Sequence, residues 1–336
     1  MKKEKIIVVL GPTASGKSDL AVELAKKFNG EIISADSRQV YKELDIGSGK
    51  ITKKEMKNIP HYLLDVVSPK SVFTVSQFKN KSDKVIQDIL KRGKTPIIAG
   101  GTGFYIQSIV DNIVLPEVKP NLKLRKELEK KSVDELAKIL KKMDKNRAGE
   151  IDLKNPRRLI RAIEIATELG KVPKFSTNSN WVAVGGEFEV LQIGIKTDDD
   201  ILKDRIASRF EKRVKAGIVK EAEGLHKNGL SWKRMNEIGL AHKYIALYLQ
   251  DKMTKSEMIE NSIREEWQYA KRQKTWFKRD SRIKWFELKE KNKIFEIIKP
   301  EPVVHGSGFC LRVWGFHTKA MSSLDIYHLH MMTKTE

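Results

Sequence analysis

The sequence predicts an α/β fold: a P-loop parallel sheet flanked by helices, with a mainly helical insertion. Three observations carry this expectation. An apolar run, Ile6-Ile7-Val8-Val9-Leu10, leads into Gly11-Pro12-Thr13-Ala14-Ser15-Gly16-Lys17-Ser18, so a G-x-x-x-x-G-K-S motif stands between a strand and an amphipathic segment. Strand-like and helix-like segments then alternate as far as Tyr105, the rhythm of a parallel sheet covered on both faces. From Asn121 to about Leu169 the apolar spacing is helical throughout.

The first element fixes the chemistry. Glycines let backbone N–H groups curl around phosphate oxygens, and a helix N-terminus adds partial positive charge. Lys17 supplies a mobile cation, and the Ser18 hydroxyl is placed to ligate Mg²⁺. The motif specifies a di- or triphosphate and leaves open what happens to it. After the loop, residues 19–28 read as a helix closed by Gly30, and residues 31–35 as a strand ending at Asp36-Ser37-Arg38-Gln39. An acid at that place can be a metal ligand, a general base or a helix cap. A Gly-rich stretch, residues 44–50, precedes a third strand candidate over residues 61–67. Thr74-x-x-Gln77 is a capping box opening a helix that runs to Gly93. Residues 95–99 make a fourth strand, ending in Gly100-Gly101-Thr102-Gly103. Ligands of such sheets bind at the carboxyl ends of the strands, where the P-loop, Asp36-Ser37 and residues 100–103 all fall.

Pro116 and Pro120 interrupt the rhythm. Residues 118–188 then read as an insertion within a discontinuous core of residues 1–117 and 189–298, because a strand pattern resumes at Val190 after a loop over residues 176–186. The insertion carries 17 Lys and Arg against 10 Asp and Glu. Asn155-Pro156 caps a helix closed by Gly170, and Arg157, Arg158 and Arg161 cluster at its start. Such a cluster suits phosphate, and equally an exposed face of salt bridges. Arg205, Arg209 and Arg213 form a stripe on a helix over residues 200–216. A last long helix, residues 255–279, interleaves Trp267, Tyr269, Trp276 and Phe277 with basic residues, either to stack on bases or as a core stripe with a solvated back.

Composition bounds the class. The 336 residues are 40% hydrophobic, enough for a large core, and no stretch nears the ~18–20 apolar residues of a membrane span. The first residues lack a signal peptide's apolar region and cleavage site. One cysteine, Cys310, excludes an internal disulfide framework and a Cys-based zinc finger. A cytoplasmic protein without membrane contact is expected. The net charge of +21 fits a polyanionic partner, or a well-solvated lysine-rich surface. Residues 299–336 lose all periodicity and read as a disordered or non-native extension; their four histidines and Cys310 match no metal-ligand spacing.

Together these segments resemble the tRNA dimethylallyltransferase family, the bacterial isopentenyl transferases. The resemblance rests on the P-loop octet, on Asp36-Ser37 with Val40-Tyr41 and Leu44-Asp45-Ile46-Gly47, and on Pro60-His61-Tyr62-Leu63-Leu64-Asp65. It continues through Gly100 to Tyr105, through residues 155–162, and through Ala270-Lys271-Arg272-Gln273-Lys274-Thr275-Trp276-Phe277. Six motifs in order over residues 6–280 make it specific. The family often has Gln-Arg at Arg157-Arg158 and Gly-Tyr at Gly239-Leu240, and residues after about 298 have no counterpart.

The resemblance implies transfer of a dimethylallyl group from dimethylallyl diphosphate to N6 of the adenosine 3′ to the anticodon, A37, in tRNAs reading codons that begin with U. Gly11, Pro12, Thr13, Ala14, Ser15, Gly16, Lys17 and Ser18 would hold the diphosphate with Mg²⁺ on Ser18, and Arg209 matches a family arginine on the same group. Asp36 would accept the N6 proton, and Thr102 would hydrogen-bond near N6 and the bridging oxygen. Ser37, Arg38 and Gln39, together with Asp36 and Thr102, would meet the flipped nucleotide. Arg125, Arg157, Arg158, Leu159, Ile160 and Arg161 would contact the anticodon stem-loop. The family is usually monomeric.

Three rivals share parts of the pattern. A P-loop nucleotide kinase explains the early motifs but not the basic insertion. An isopentenyl transferase acting on free adenine nucleotides shares the P-loop and Asp36 but has little use for the charge. A non-catalytic RNA-binding NTPase leaves Asp36 and Thr102 without purpose.

Overall fold

The structure is a computed structural model that describes residues 4–173, 182–183, 186–299, 304–305 and 308–309. The tail outside these pairs of residues, with Cys310 and most of its histidines, lies outside the described residues, as do Trp181 and most of the 176–186 loop.

The chain opens with β1 (Glu4–Leu10), α1 (Lys17–Lys27) and β2 (Gly30–Ala35), then α2 (Lys53–Met56), β3 (His61–Tyr62), α3 (Val75–Lys91), β4 (Thr95–Gly100) and α4 (Gly103–Val110). The insertion supplies α5 (Leu122–Leu128), α6 (Val133–Met143), α7 (Lys145–Glu150) and α8 (Pro156–Leu169). The sheet resumes with β5 (Val182–Ala183) and β6 (Gly186–Ile195). There follow α9 (Asp199–Lys215), α10 (Ile218–Lys227), α11 (Trp232–Ile238), α12 (Ala241–Tyr248), α13 (Lys255–Phe277), β7 (Lys284–Phe286) and α14 (Lys291–Ile298).

Six strands are parallel. Their order is β3-β2-β4-β1-β6-β7, with β5 pairing antiparallel to the start of β6. Both faces of β1 are buried. Ile6, Val8 and Leu10 pack with α3, α4 and Phe277 of α13, while Ile7 and Val9 pack with α1 and α14. That is why residues 6–10 read as a continuous apolar run. Register brings Leu10, Gly100 and Ala35 side by side at the carboxyl edge. The P-loop, residues 101–103 and the 36–39 turn therefore leave the sheet together.

Several boundaries differ from expectation, each for a local reason. Gly30 does not close α1; Asn29 turns the chain at φ 47°, and Gly30 starts β2. A Cβ at Gly30 would lie 2.9 Å from the Thr95 carbonyl oxygen, so strand proximity demands this glycine. The third strand shrinks to two residues because Leu63 and Asp65 take φ of 61° and 55°. The caps behave as expected: Thr74 and Gln77 close a capping box, and the Asn155 side chain accepts from the Arg158 N–H with Pro156 behind it.

The four insertion helices share a core of their own that includes Leu128, Leu136, Leu140, Leu159 and Ile163. Leu159 is fully buried and Ile160 nearly so: both side chains face the insertion's interior, so any RNA contact there falls to the backbone. Arg125 and Arg161 are likewise committed. Arg125 donates to the buried Glu164 from Nε and Nη2 at 2.9 and 2.8 Å, Arg161 Nη1 donates at 2.5 Å, and the Asn121 N–H adds a fourth bond at 2.6 Å. Burial alone would raise the Glu164 carboxyl; these donors outweigh it and hold it below the usual carboxylate range. Arg157 and Arg158 remain exposed. Glu164→Gln should therefore destabilise the protein by about 3 kcal/mol in urea unfolding, since it strands two guanidinium groups around a neutral amide.

Candidate active site

The P-loop is built from backbone turns. Gly11, Ala14 and Gly16 have φ of 155°, 61° and 86°, and α1 begins at Lys17 directly after Gly16. A Cβ on Gly11 would sit 3.0 Å from the Ile195 carbonyl oxygen, so β6 as well as the loop requires that glycine. Lys17 folds back to donate to the Pro12 carbonyl oxygen at 3.1 Å. Burial brings its ammonium down to about 8; Asp36 opposes this and Arg209 adds to it. Arg209, reaching over from α9, is also lowered by burial and by its neighbour Arg213, and it has no carboxylate partner among the described residues. Two cations converge here, with Asp36 lining the same space. The Ser18 hydroxyl is exposed beside them.

Asp36 has two jobs divided between its oxygens. Oδ1 accepts from the Arg38 and Gln39 N–H groups at 2.8 and 3.3 Å, capping a turn rather than a helix. Oδ2 has no partner among the described residues. Thr102 ties this turn to β4: its Oγ1 accepts from the Ser37 N–H at 2.9 Å and lies 3.3 Å from Ser37 Oγ. Gln39 crosses to the 44–50 loop, donating to the Gly49 carbonyl oxygen at 3.3 Å.

Two chambers that open to solvent, each outlining about 620–630 Å³, meet at Asp36. One is lined by Lys17, Ser18, Ile32, Ile51, His61 and Ala99, a charged mouth with an apolar wall. The other is lined by Arg38, Arg213, Leu240, His242, Glu266 and Tyr269. Thr13, Ser48, Gly49 and Arg209 also border both. The Gly-rich 44–50 stretch is thus a roof over the site. Glu221 of α10 pins it by accepting from the N–H groups of Asp45, Ile46 and Gly47 at 3.0, 2.7 and 2.8 Å.

Sequence reading placed the Asp36 turn and Thr102 together with the P-loop, and the structure brings them to one place with Arg209. Arg125 and the Arg157–Arg161 stretch lie apart, on the insertion. The sequence reading gave no site role to Arg213, His242 and Tyr269, which α9, α12 and α13 deliver to the second chamber, or to Gln273 of α13, which bonds to the P-loop at Thr13. On α13, Ala270, Gln273 and Phe277 face inward while Lys271 and Arg272, and Lys278 and Arg279 just after it, are exposed, so its aromatics serve a core stripe with a solvated back, except Tyr269, which reaches the site.

This arrangement sets the P-loop with Lys17 and Arg209 on one side of an acid and a second chamber on the other. A family model for IPP transferase matches residues 39–280. The chain is 39% identical over 301 residues to a tRNA dimethylallyltransferase of Clostridioides difficile, covering 88% of this chain and 96% of the relative. It is 43% identical over 278 residues to tRNA dimethylallyltransferase 2 of Treponema denticola, covering 82% and 92%. The crystal structure of a tRNA isopentenylpyrophosphate transferase from Bacillus halodurans superposes with a TM-score of 0.65 at 33% identity, over 88% of this chain and 96% of that one. A eukaryotic dimethylallyltransferase acting on tRNA gives 0.70 at 30% identity, over 82% and 70%. The chain belongs to the IPP transferase family and is a transferase.

Two pH effects follow from the geometry. An organic diphosphate bound between Lys17 and Arg209 would raise the lysine back toward its ordinary value, so binding near pH 8 should take up about half a proton. Calorimetry in buffers of different ionisation enthalpy reads this; uptake should vanish at pH 6.5 and in Lys17→Met, which should also bind the diphosphate more weakly. His242 is buried, and burial beside Arg38 and Arg213 brings its imidazole down to about 4 from an ordinary 6.5. The unfolded chain then binds the extra proton first. Stability is complete above pH 6.5 and falls as pH drops toward 4, by about 3 kcal/mol at the limit. His242→Gln should remove that part of the acid slope in unfolding titrations.

Proposed function

We propose that the protein transfers the dimethylallyl group of dimethylallyl diphosphate to N6 of A37 in tRNAs that read codons beginning with U, giving N6-dimethylallyladenosine and diphosphate. The observation that carries this reading is Asp36, whose unpartnered Oδ2 stands where an anion chamber with an apolar wall meets a second chamber. The diphosphate lies on the P-loop N–H groups between Lys17 and Arg209, and the five-carbon chain lies against Ile32, Ile51 and Ala99. A flipped adenine enters the second chamber, as base-modifying enzymes require. Its N6 lone pair forms the bond to C1 as the C1–O bond breaks and that electron pair leaves with the diphosphate. Lys17 and Arg209 stabilise the departing charge, and Asp36 Oδ2 takes the N6 proton.

The donor set fits Mg²⁺. The Ser18 hydroxyl is open to the anion chamber, and a hard cation of this size takes one or two protein oxygens and fills its sphere with phosphate oxygens and water. Bound there, it would neutralise diphosphate charge. Arg157 and Arg158 of the insertion, exposed among its lysines, provide phosphate contacts for the anticodon stem-loop. The likeness to enzymes named for tRNA favours this over free nucleotides, and the reading makes the protein a cytoplasmic monomer. No helix of the described residues is long and apolar enough to cross a membrane.

Labelled dimethylallyl diphosphate offered with tRNA or with AMP tests the acceptor: label should enter tRNA alone, without phosphate release from ATP. Asp36→Asn tests the chemistry. Asparagine keeps the Oδ1 acceptor that caps the 36–39 turn but cannot take a proton. Single-turnover rates with pre-bound tRNA should fall ~10²–10⁴-fold and stay low across a Mg²⁺ series. A rate within about threefold of wild type would leave Asp36 as a turn cap only, and restoration by high Mg²⁺ would make it a metal ligand.

A further inference from the structure

The two loops that serve donor and acceptor are joined by one side chain. Gln273 of α13 is buried, with 5% of its surface exposed. Its Oε1 accepts from the Thr13 N–H of the P-loop at 2.8 Å, and its Nε2 donates to the Gly101 carbonyl oxygen at 2.8 Å. Thr13 belongs to the loop that carries Lys17 and Ser18. Gly101 precedes Thr102, which holds the Asp36 turn. One helical turn earlier, Tyr269 of the same helix lies beside Thr102 and Gln273.

The approach is close enough to dictate sequence. A Cβ on Gly101 would collide with Gln273 Nε2, and one on Gly103 would collide with the Trp276 ring, the next residue along the same helical face. The primary amide is the group this gap requires: one end accepts, the other donates, and the plane between them is rigid. A carboxylate would oppose the Gly101 oxygen, and an apolar chain would leave a buried N–H and C=O unpaired.

We propose that Gln273 is a positioning residue that sets the separation between the donor held by the P-loop and the acceptor held beside Thr102 and Asp36. It touches neither reactant. It acts by fixing Thr13 against Gly101, so that N6 meets C1 at attack distance once both chambers are filled. The inference rests on the transfer reading above.

The test is Gln273→Met and Gln273→Glu, with donor and tRNA affinities measured separately, single-turnover transfer measured from the ternary complex, and amide exchange followed at Thr13. Misplacement by about 1 Å costs ~10²-fold in rate. Transfer should therefore fall about 10²-fold in the Met variant while both binary affinities stay within about threefold, and Thr13 should lose protection. The Glu variant keeps the Thr13 bond, so it should keep that protection yet also transfer slowly. It also stands in if the Met variant does not fold. Transfer within about threefold of wild type in either folded variant overturns the proposal, as does a loss confined to donor or tRNA affinity, which is what a purely structural role gives. Wild-type protein that transfers no label to tRNA sinks the transfer reading instead, and the loss of Thr13 protection in the Met variant still decides whether the strut exists.

Discussion

The site depends on positive charge held ready without its counter-ion. Lys17 and Arg209 are brought together by the start of α1 and by α9, and the nearest acid, Asp36, spends one oxygen on its own turn. Like charges drawn partly out of water repel and lose hydration. The fold tolerates this because elements elsewhere secure it: hydrophobic contacts of Ala14 with Leu202, Ile206 and Ala270 fix the P-loop against α9 and α13. A bound diphosphate would relieve the repulsion. In the proposed transfer, binding and charge stabilisation of the leaving group would draw on one source, which grows stronger as the C1–O bond lengthens and charge moves onto the oxygens.

The same residue type does opposite work on the insertion. Arg125 and Arg161 surround a carboxylate buried in their own domain, whereas Arg157 and Arg158 face solvent. The first pair is fixed by Glu164 and fixes α5 to α8 in return. The second pair is free to meet phosphate, since Arg158 reaches Asp152 only at 3.9 Å, a surface contact of little strength. A basic count of 17 against 10 therefore overstates the charge available to RNA, because part of it is consumed inside the insertion.

What the sequence made legible was local. The P-loop, the Thr74–Gln77 box and the Asn155-Pro156 start are each written within a few residues, and each forms as written. What it hid was distant. Gln273 lies 260 residues from Thr13 and 172 from Gly101, so nothing in the spacing announces the contact. Gly30 looked like a helix stop and is a strand contact with Thr95 and Ile97. Leu159 and Ile160 sit among arginines in sequence, yet the helix turns them into the core while Arg157 and Arg158 face out. The third strand failed because apolar content alone does not exclude the left-handed turns at Leu63 and Asp65.

The second chamber carries the strain that functional sites tend to hold. Leu240 has φ 50° and ψ −134°, a conformation that costs a side-chain-bearing residue about 1–3 kcal/mol, and it lines this chamber. Gly239 before it, at φ 76°, is the residue that can take such a turn freely. Two residues on, His242 lies against Gly47, where a Cβ would be 2.5 Å from the ring, and its Nε2 has no partner. A strained leucine, an unpaired imidazole nitrogen and a glycine that yields space form one wall, between the roof pinned by Glu221 and the floor held by Tyr269. Each is unfavourable alone. Together they line the cavity beside Asp36 that the proposed transfer assigns to the flipped base.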